Sequence, residues 1–465
     1  MRTRPVAWPA AVLCLLGAAQ AQPESITPIA VTGEQIPGIE GGTYTNLSGQ
    51  PIVLEDGTVV FRGVIQTPNT FSDGVVFAAR DGVTVPLVGR GDEITGAEGL
   101  TFNSIGGALP LVAGQNGSIV GRAAVSDGST LRDAFVSIGT GGTGILASVG
   151  DEAPGTGGAT FLALDTQVSV GAPGQTVFRG TLTGDGVNIF FSSALFSATE
   201  GGTVLVARAL DDAPGLPGRR ISQITSYDAN SSGQIAYFAN VGSTSRPDNV
   251  LYLTDGEETS ILFRDGTSLP DGSGPLSIGG SDLALRDDGS LVAVGSFAVQ
   301  PPQGLRYNQG LLVLDDDGIE TLVRSGDAAP GAEGLVFERF TEVSANEVGE
   351  IAFIAQLAGG EENRPQDLGL FARSVDGDLI SIVREGDLFT VGGEEKTILS
   401  LVISSDSLND LGLLAFTLRF EDNTSGVFLA DLFGDGMVSA VPLPSAFAFF
   451  AIGAAGLGAA RRRRR

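Results

Sequence analysis

Hydrophobic residues along this chain fall in short β-type runs bounded by glycine-centred turns, and the runs recur at an even interval. Seven segments carry the pattern: Asp56-Gly57-Thr58-Val59-Val60-Phe61, Asn116-Gly117-Ser118-Ile119-Val120, Gly174-Gln175-Thr176-Val177-Phe178, Asn230-Ser231-Ser232-Gly233-Gln234-Ile235-Ala236-Tyr237, Asp288-Gly289-Ser290-Leu291-Val292-Ala293, Asn346-Glu347-Val348-Gly349-Glu350-Ile351-Ala352-Phe353 and Asn409-Asp410-Leu411-Gly412-Leu413-Leu414-Ala415-Phe416. Their glycines stand 60, 57, 59, 56, 60 and 63 residues apart. That period is too long for a solenoid coil of one or two strands. Each copy holds four strand-like pieces, with Asp-Gly or Gly-Gly hairpin signals at Asp81-Gly82, Gly201-Gly202, Asp255-Gly256, Asp317-Gly318 and Asp376-Gly377. A Gly-Asp-x-x-Pro-Gly style loop follows the third piece.

Four short antiparallel strands repeated seven times predict an all-β, seven-bladed β-propeller of four-stranded blades over residues 26–436. The segment from Ile29 to Gly38 matches a third strand with its loop, and the copy at Gly412 stops after its second strand at Gly426 to Leu429. The two ends are therefore expected to share one blade, which removes exposed edges. A string of small β-sandwiches and an open β array are the competing architectures.

The ends of the chain differ from this body. Residues 1–21 form a secretory signal peptide: Arg2 and Arg4 are basic, Val6 to Ala18 is apolar, and Ala19 and Ala21 place small residues at the cleavage positions. At the other end, 441–465 reads as a sorting and membrane-anchor segment. Val441, Pro442, Leu443 and Pro444 precede an uncharged run from Ser445 to Ala460, then Arg461, Arg462, Arg463, Arg464 and Arg465. As a helix the run covers roughly 24 Å, a short membrane helix whose arginines stay on the cytoplasmic side.

This tail resembles the PEP-CTERM class of bacterial sorting signals in its VPLPA-type variant, with Ser445 where the variant usually carries alanine. The resemblance implies export in a Gram-negative cell, transient anchoring in the inner membrane, and transfer to the cell surface or medium by an exosortase-type enzyme. The repeated element resembles the choice-of-anchor NxxGxxAF tandem-repeat family. Its motif falls on Asn230, Gly233, Ala236 and Tyr237 (tyrosine for phenylalanine), on Asn346, Gly349, Ala352 and Phe353, and on Asn409, Gly412, Ala415 and Phe416. That family implies an address and assigns no activity.

Composition narrows the chemistry. Histidine is absent, and the single Cys14 and Trp8 both lie in the leader. Serine–histidine and cysteine–histidine catalysis and histidine-ligated metals are excluded. The single lysine, Lys396, follows Glu395 rather than glycine, which excludes a phosphate-binding P-loop. Without the two leader arginines and the five tail arginines, 20 basic residues face 54 acidic ones, a net charge of −34. Nucleic acid is a poor partner for that field, and cations a better one.

An acidic residue recurs after the third strand at Glu34, Asp92, Asp151, Asp211, Asp327 and Asp387, with Asp265 displaced by two. These acids have two readings: turn residues that bond their own backbone, or a carboxylate ring for Ca²⁺. Arg208, Arg264, Arg324 and Arg384 are candidate ion-pair partners for them. Arg90-Gly91-Asp92 spells an adhesion tripeptide within a repeat turn, and Gly139 to Gly144 has dinucleotide spacing but no following helix. Asp315 to Gly318 reads as a hairpin turn. The longest loops run 64–73, 300–309 and 359–367, the second carrying Arg306 and Tyr307. The expected function is a non-catalytic binding or scaffold module for an unidentified surface ligand, with no cofactor beyond a candidate calcium. The alternative is a Ca-dependent hydrolase or lyase with carboxylates at the propeller channel.

Overall fold

The computed structural model describes Pro23 and residues 25–434, apart from 69, 106–110, 115–116, 140–141, 200, 243–247, 270–271, 300–305, 316 and 360–367. Residues 1–22, with Ala19 and Ala21, and 435–465, with the Val441–Pro444 motif and the arginine block, lie outside the described residues. Seven antiparallel sheets make a seven-bladed propeller of four-stranded blades. Blade IV shows the plan, running from channel to rim as Ile221–Ala229, Ile235–Val241, Asp248–Thr254 and Thr259–Arg264. Blades I and II break their inner strand in two, so that Ile52–Val53 and Leu111–Ala113 line the channel beside Thr43–Leu47 and Thr101–Ile105. The repeat glycine joins the innermost strand to the second, so each blade begins one strand earlier than the glycine-based reading placed it.

Blade VII mixes the two ends. Glu394–Val402, Leu413–Phe420 and Ser425–Asp431 come from the C-terminal side, and Ser25–Val31 adds the rim strand, with Ser25 opposite Asp431 and Val31 opposite Gly426. The expected shared blade is therefore present.

Seven buried clusters fill the seven blade junctions. Because every blade packs on both faces, the second strands read as unbroken apolar runs such as Ile351–Ala355, all buried. The Ala-Phe pair divides the two faces. Phe353 lies in the junction with blade V, while Ala352 lies in the junction with blade VII. Each repeat aromatic also stacks on one from the third strand: Phe353 on Phe371 at 5.7 Å, Tyr237 on Tyr252 at 5.2 Å, and Phe416 on Phe428 at 5.7 Å.

Two loops are shorter than the sequence implied. Blade I extends its second and third strands into a tight hairpin, with Thr67 opposite Thr70. Arg306 and Tyr307 lie within a strand opposite Val299 and Ala298 instead of in a loop. The β periodicity there was masked by Pro301-Pro302.

Candidate functional site

Antiparallel strands send the two kinds of repeated turn to opposite ends of the channel. At one end lie the crossings from each rim strand to the next blade, which carry the recurrent acids. These acids do not come together: five of the seven bond the backbone of their own turn. Asp92 accepts from the Gly89 N–H at 2.8 Å, Asp151 from Ser148 at 3.1 Å, Asp211 from Arg208 at 3.1 Å, Asp327 from Arg324 at 2.8 Å, and Glu34 from Val31 at 3.0 Å. Asp265 instead accepts from Asn249 and Ser277. Of the proposed arginine partners, Arg384 reaches Asp387 at 3.0 Å, whereas Arg264 turns to Asp248 at 2.5 Å.

At the other end, the Asn turns form a ring. Asn346 Oδ1 accepts from Glu350 N–H, the local cap its residue type predicts, while its Nδ2 donates at 2.9 Å to the Asn409 carbonyl of the next blade. Asn409 reaches Leu54 and Asn230 reaches Arg286 in the same way, at 2.9 and 2.7 Å. The three glycines after these asparagines have φ of 88°, 105° and 69°, a left-handed conformation that favours glycine.

The residue after each Asn position extends the ring through a carboxylate relay. Ser231 N–H donates to Asp287, Asp287 N–H to Glu347, Glu347 N–H to Asp410 and Asp410 N–H to Glu55, at 2.8, 2.8, 2.8 and 3.2 Å. Sequence reasoning missed these acids. The signal was present: the position after the Asn is acidic in four repeats, as Glu55, Asp287, Glu347 and Asp410. It also missed Arg62, Arg122 and Arg179, which share one register in blades I to III. Arg179 pairs with Asp165 at 2.6 Å and Arg122 with Asp133 at 2.5 Å, while burial lowers Arg62 to about 10.

Inside this ring the channel opens into a cavity of about 130 Å³, lined by Glu55, Ser169, Asp228, Glu347, Asp406 and Asp410 among others. Asp228 accepts from Ser169 Oγ–H at 2.6 Å and from Leu285 N–H at 2.8 Å, and Asp406 accepts from Ala113 N–H at 3.0 Å. Burial pushes Glu55 and Asp228 up to about 7, and Glu347 and Asp406 up to about 6; neighbouring carboxylates add to the rise at Glu55, Asp228 and Glu347. Ionised, the carboxylates around this mouth repel one another. Among the described residues no three His, Cys, Asp or Glu form a group able to hold a metal ion.

The folded protein keeps protons here that the unfolded chain releases, so this contribution to stability is full in acid. It is lost as pH rises from about 4 through about 7. Asp127 and Asp422, lowered to about 2, titrate below that window. Urea unfolding is therefore expected to show stability falling from pH 5 to pH 8. In Asp406→Asn the fall should shrink by about 1 kcal/mol, the part of the shift from 3.8 to about 6 that is released above pH 5. Parallel curves for the two proteins would refute this.

The remaining sequence candidates stay in turns. Gly139 and Gly142 end and begin two paired strands, with no helix. Asp315 Oδ1 accepts from Asp317 and Gly318 N–H in a hairpin.

Residues 13–447 match the model of a family described as of unknown function (DUF7453). No curated protein matches the chain. Similar solved structures include an oligogalacturonate lyase in complex with manganese, with 13% identity and a TM-score of 0.45 over 90% of this chain and 99% of that one. A polysaccharide lyase, Uly1, has 13% identity and a TM-score of 0.40 over 88% and 99%. The β-propeller domain of the Trilobed protease from Pyrococcus furiosus has 7% identity and a TM-score of 0.43 over 85% and 98%.

Proposed function

We propose, from the premise that the chain belongs to the DUF7453 family, that it is an exported, non-catalytic binding or scaffold propeller of the cell surface. The leader would send it out, and an exosortase-type enzyme would process the Val441–Pro444 tail after transient anchoring in the inner membrane. In this reading the acidic mouth takes a cationic group. The carrying observation is the convergence of Glu55, Asp228, Glu347, Asp406 and Asp410, from blades I, IV, VI and VII, on one cavity. Carboxylates spread around an opening suit an ammonium or guanidinium group better than Ca²⁺, which wants six to eight close oxygens. A cavity of about 130 Å³ likewise admits such a head group.

The same convergence favours a second reading, a Ca-dependent hydrolase or lyase working at the channel. Carboxyls titrating near 6 and 7 are suited to proton transfer at neutral pH.

Melting at pH 8 separates the two readings. Spermidine is expected to raise the melting temperature more than calcium chloride does, because a ligand held only by the fold stabilises it. The shift should disappear in the double variant Asp406→Asn with Glu347→Gln. A calcium shift exceeding that of spermidine supports the second reading, and no shift with either refutes both. Cell fractions from strains with and without residues 441–465 test the address: soluble cytosolic full-length protein would refute it.

A further inference from the structure

One corner of the acidic mouth, between blades V and VI, carries charge of the opposite sign. Arg286 follows Leu276–Leu285, the inner strand of blade V, at the turn position that Asn230, Asn346 and Asn409 hold in their own blades. Of the seven residues at this position it alone is charged. Side chains of a strand alternate between its two faces. Ala284 packs toward blade VI and Leu285 toward blade IV, so Arg286 turns back toward blade VI.

Arg373 reaches the same place from the other side. It ends Leu368–Arg373, the third strand of blade VI, and stands opposite Ile351. Ile351 and Phe371 both pack in the junction of blades V and VI, and Arg373, two residues after Phe371, shares their face. The two guanidinium groups therefore meet at the mouth end of one junction. Burial lowers Arg286, and the nearby charge of Arg373 lowers it further, against Asp288 and Glu347.

The protein supplies this pair with no counter-ion in contact. Among the described residues neither guanidinium forms an ion pair. Arg286 Nε is buried without a hydrogen-bond partner. The Arg373 side chain makes one long bond, from Nη1 to the carbonyl of its neighbour Ser374 at 3.4 Å. Two half-buried arginines with like charge and free donors match a carboxylate, which accepts from both at once. Glu347 joins this corner to the cavity, since it lines the cavity and acts on Arg286.

We propose that Arg286 and Arg373 form a carboxylate subsite at the edge of the mouth, and that the ligand is an amino acid whose ammonium group lies among the cavity carboxylates while its carboxylate bridges the two arginines. This rests on the reading that the mouth takes a cationic group.

Titration calorimetry of the full chain at pH 8 compares free lysine with cadaverine, the same diamine without the carboxylate. Lysine is expected to bind about tenfold tighter, although its net positive charge is smaller. Equal affinity, or a preference for cadaverine, overturns the proposal and leaves the cation reading in place. The double variant Arg286→Gln with Arg373→Gln should remove the preference by weakening lysine and not cadaverine. Arg373→Gln alone, at a half-buried position, should remove part of it and serves if the double variant does not fold. A preference that survives these changes overturns the subsite. If neither amine binds but hexanoate binds and is lost with Arg373→Gln, the carboxylate subsite stands and the cation reading falls. Binding of none of the three overturns both.

Discussion

Deleting residues 25–32 is expected to destabilise the protein by roughly 5 kcal/mol, the sum of several backbone hydrogen bonds and two buried side chains. That segment is the rim strand of blade VII, paired with Ser425–Asp431 across six positions. It buries Ala30 and Val31 at 1% and 6% exposure in two different blade junctions. It also leads into Thr32, whose N–H and hydroxyl reach Ser425 at 2.9 and 3.0 Å, while Ser425 Oγ accepts from Leu47 N–H in blade I at 2.9 Å. Losing the strand therefore exposes an unpaired edge and loosens the contact between the last blade and the first. Urea unfolding should show a lower midpoint and a broadened transition, because the ring no longer unfolds as one unit. If the strand deletion keeps its midpoint, closure by the N-terminal strand contributes little and the ring is held by its junctions alone.

How much was legible in the sequence depends on how local each signal is. The turn glycines need a positive φ, and the hairpin dipeptides have a single job, so the repeat and its count show directly in spacing. The shared blade was legible because Ile29 to Gly38 carries a rim strand and crossing loop with nothing before it to pair with. The mouth was hidden for the opposite reason. Asp228 and Asp406 occupy no repeated position, and what unites them is the circular arrangement that brings inner strands to one axis. Their neighbours Glu55, Asp287, Glu347 and Asp410 do repeat, but the acids at Asp92, Asp151, Asp211 and Asp327 repeat more regularly and stood out first, and of their two readings the turn reading holds. Those acids each serve one turn, and a turn is a local requirement that every blade repeats. The asparagines were half legible: their capping role follows from residue type. Their reach to the next blade's carbonyl depends on a neighbour 63 residues away for Asn346 and 355 residues away for Asn409.

That reach sets the second large effect. Asn409 is fully buried; its Oδ1 accepts from Leu413 N–H at 3.0 Å and Leu411 N–H at 3.1 Å, and its Nδ2 donates to Leu54 at 2.9 Å. Asn409→Ala leaves the Leu413 N–H buried without an acceptor and is expected to cost about 2–3 kcal/mol at any pH from 5 to 8. The Leu54 carbonyl suffers less, since Gly57 N–H still donates to it at 2.8 Å. Asn409→Asp separates the two roles. Its carboxylate keeps the acceptor but faces the Leu54 carbonyl and the neighbouring Asp410 and Glu55, so at pH 8 it should cost as much as alanine or more. On acidification it takes up a proton, regains a donor for Leu54, and should recover most of that loss, whereas the alanine variant does not. Denaturation of both variants at pH 5 and pH 8 checks this. If Asn409→Asp fails to recover in acid, the contact between blades VII and I is not what fixes asparagine at this turn, and its local cap alone explains the residue.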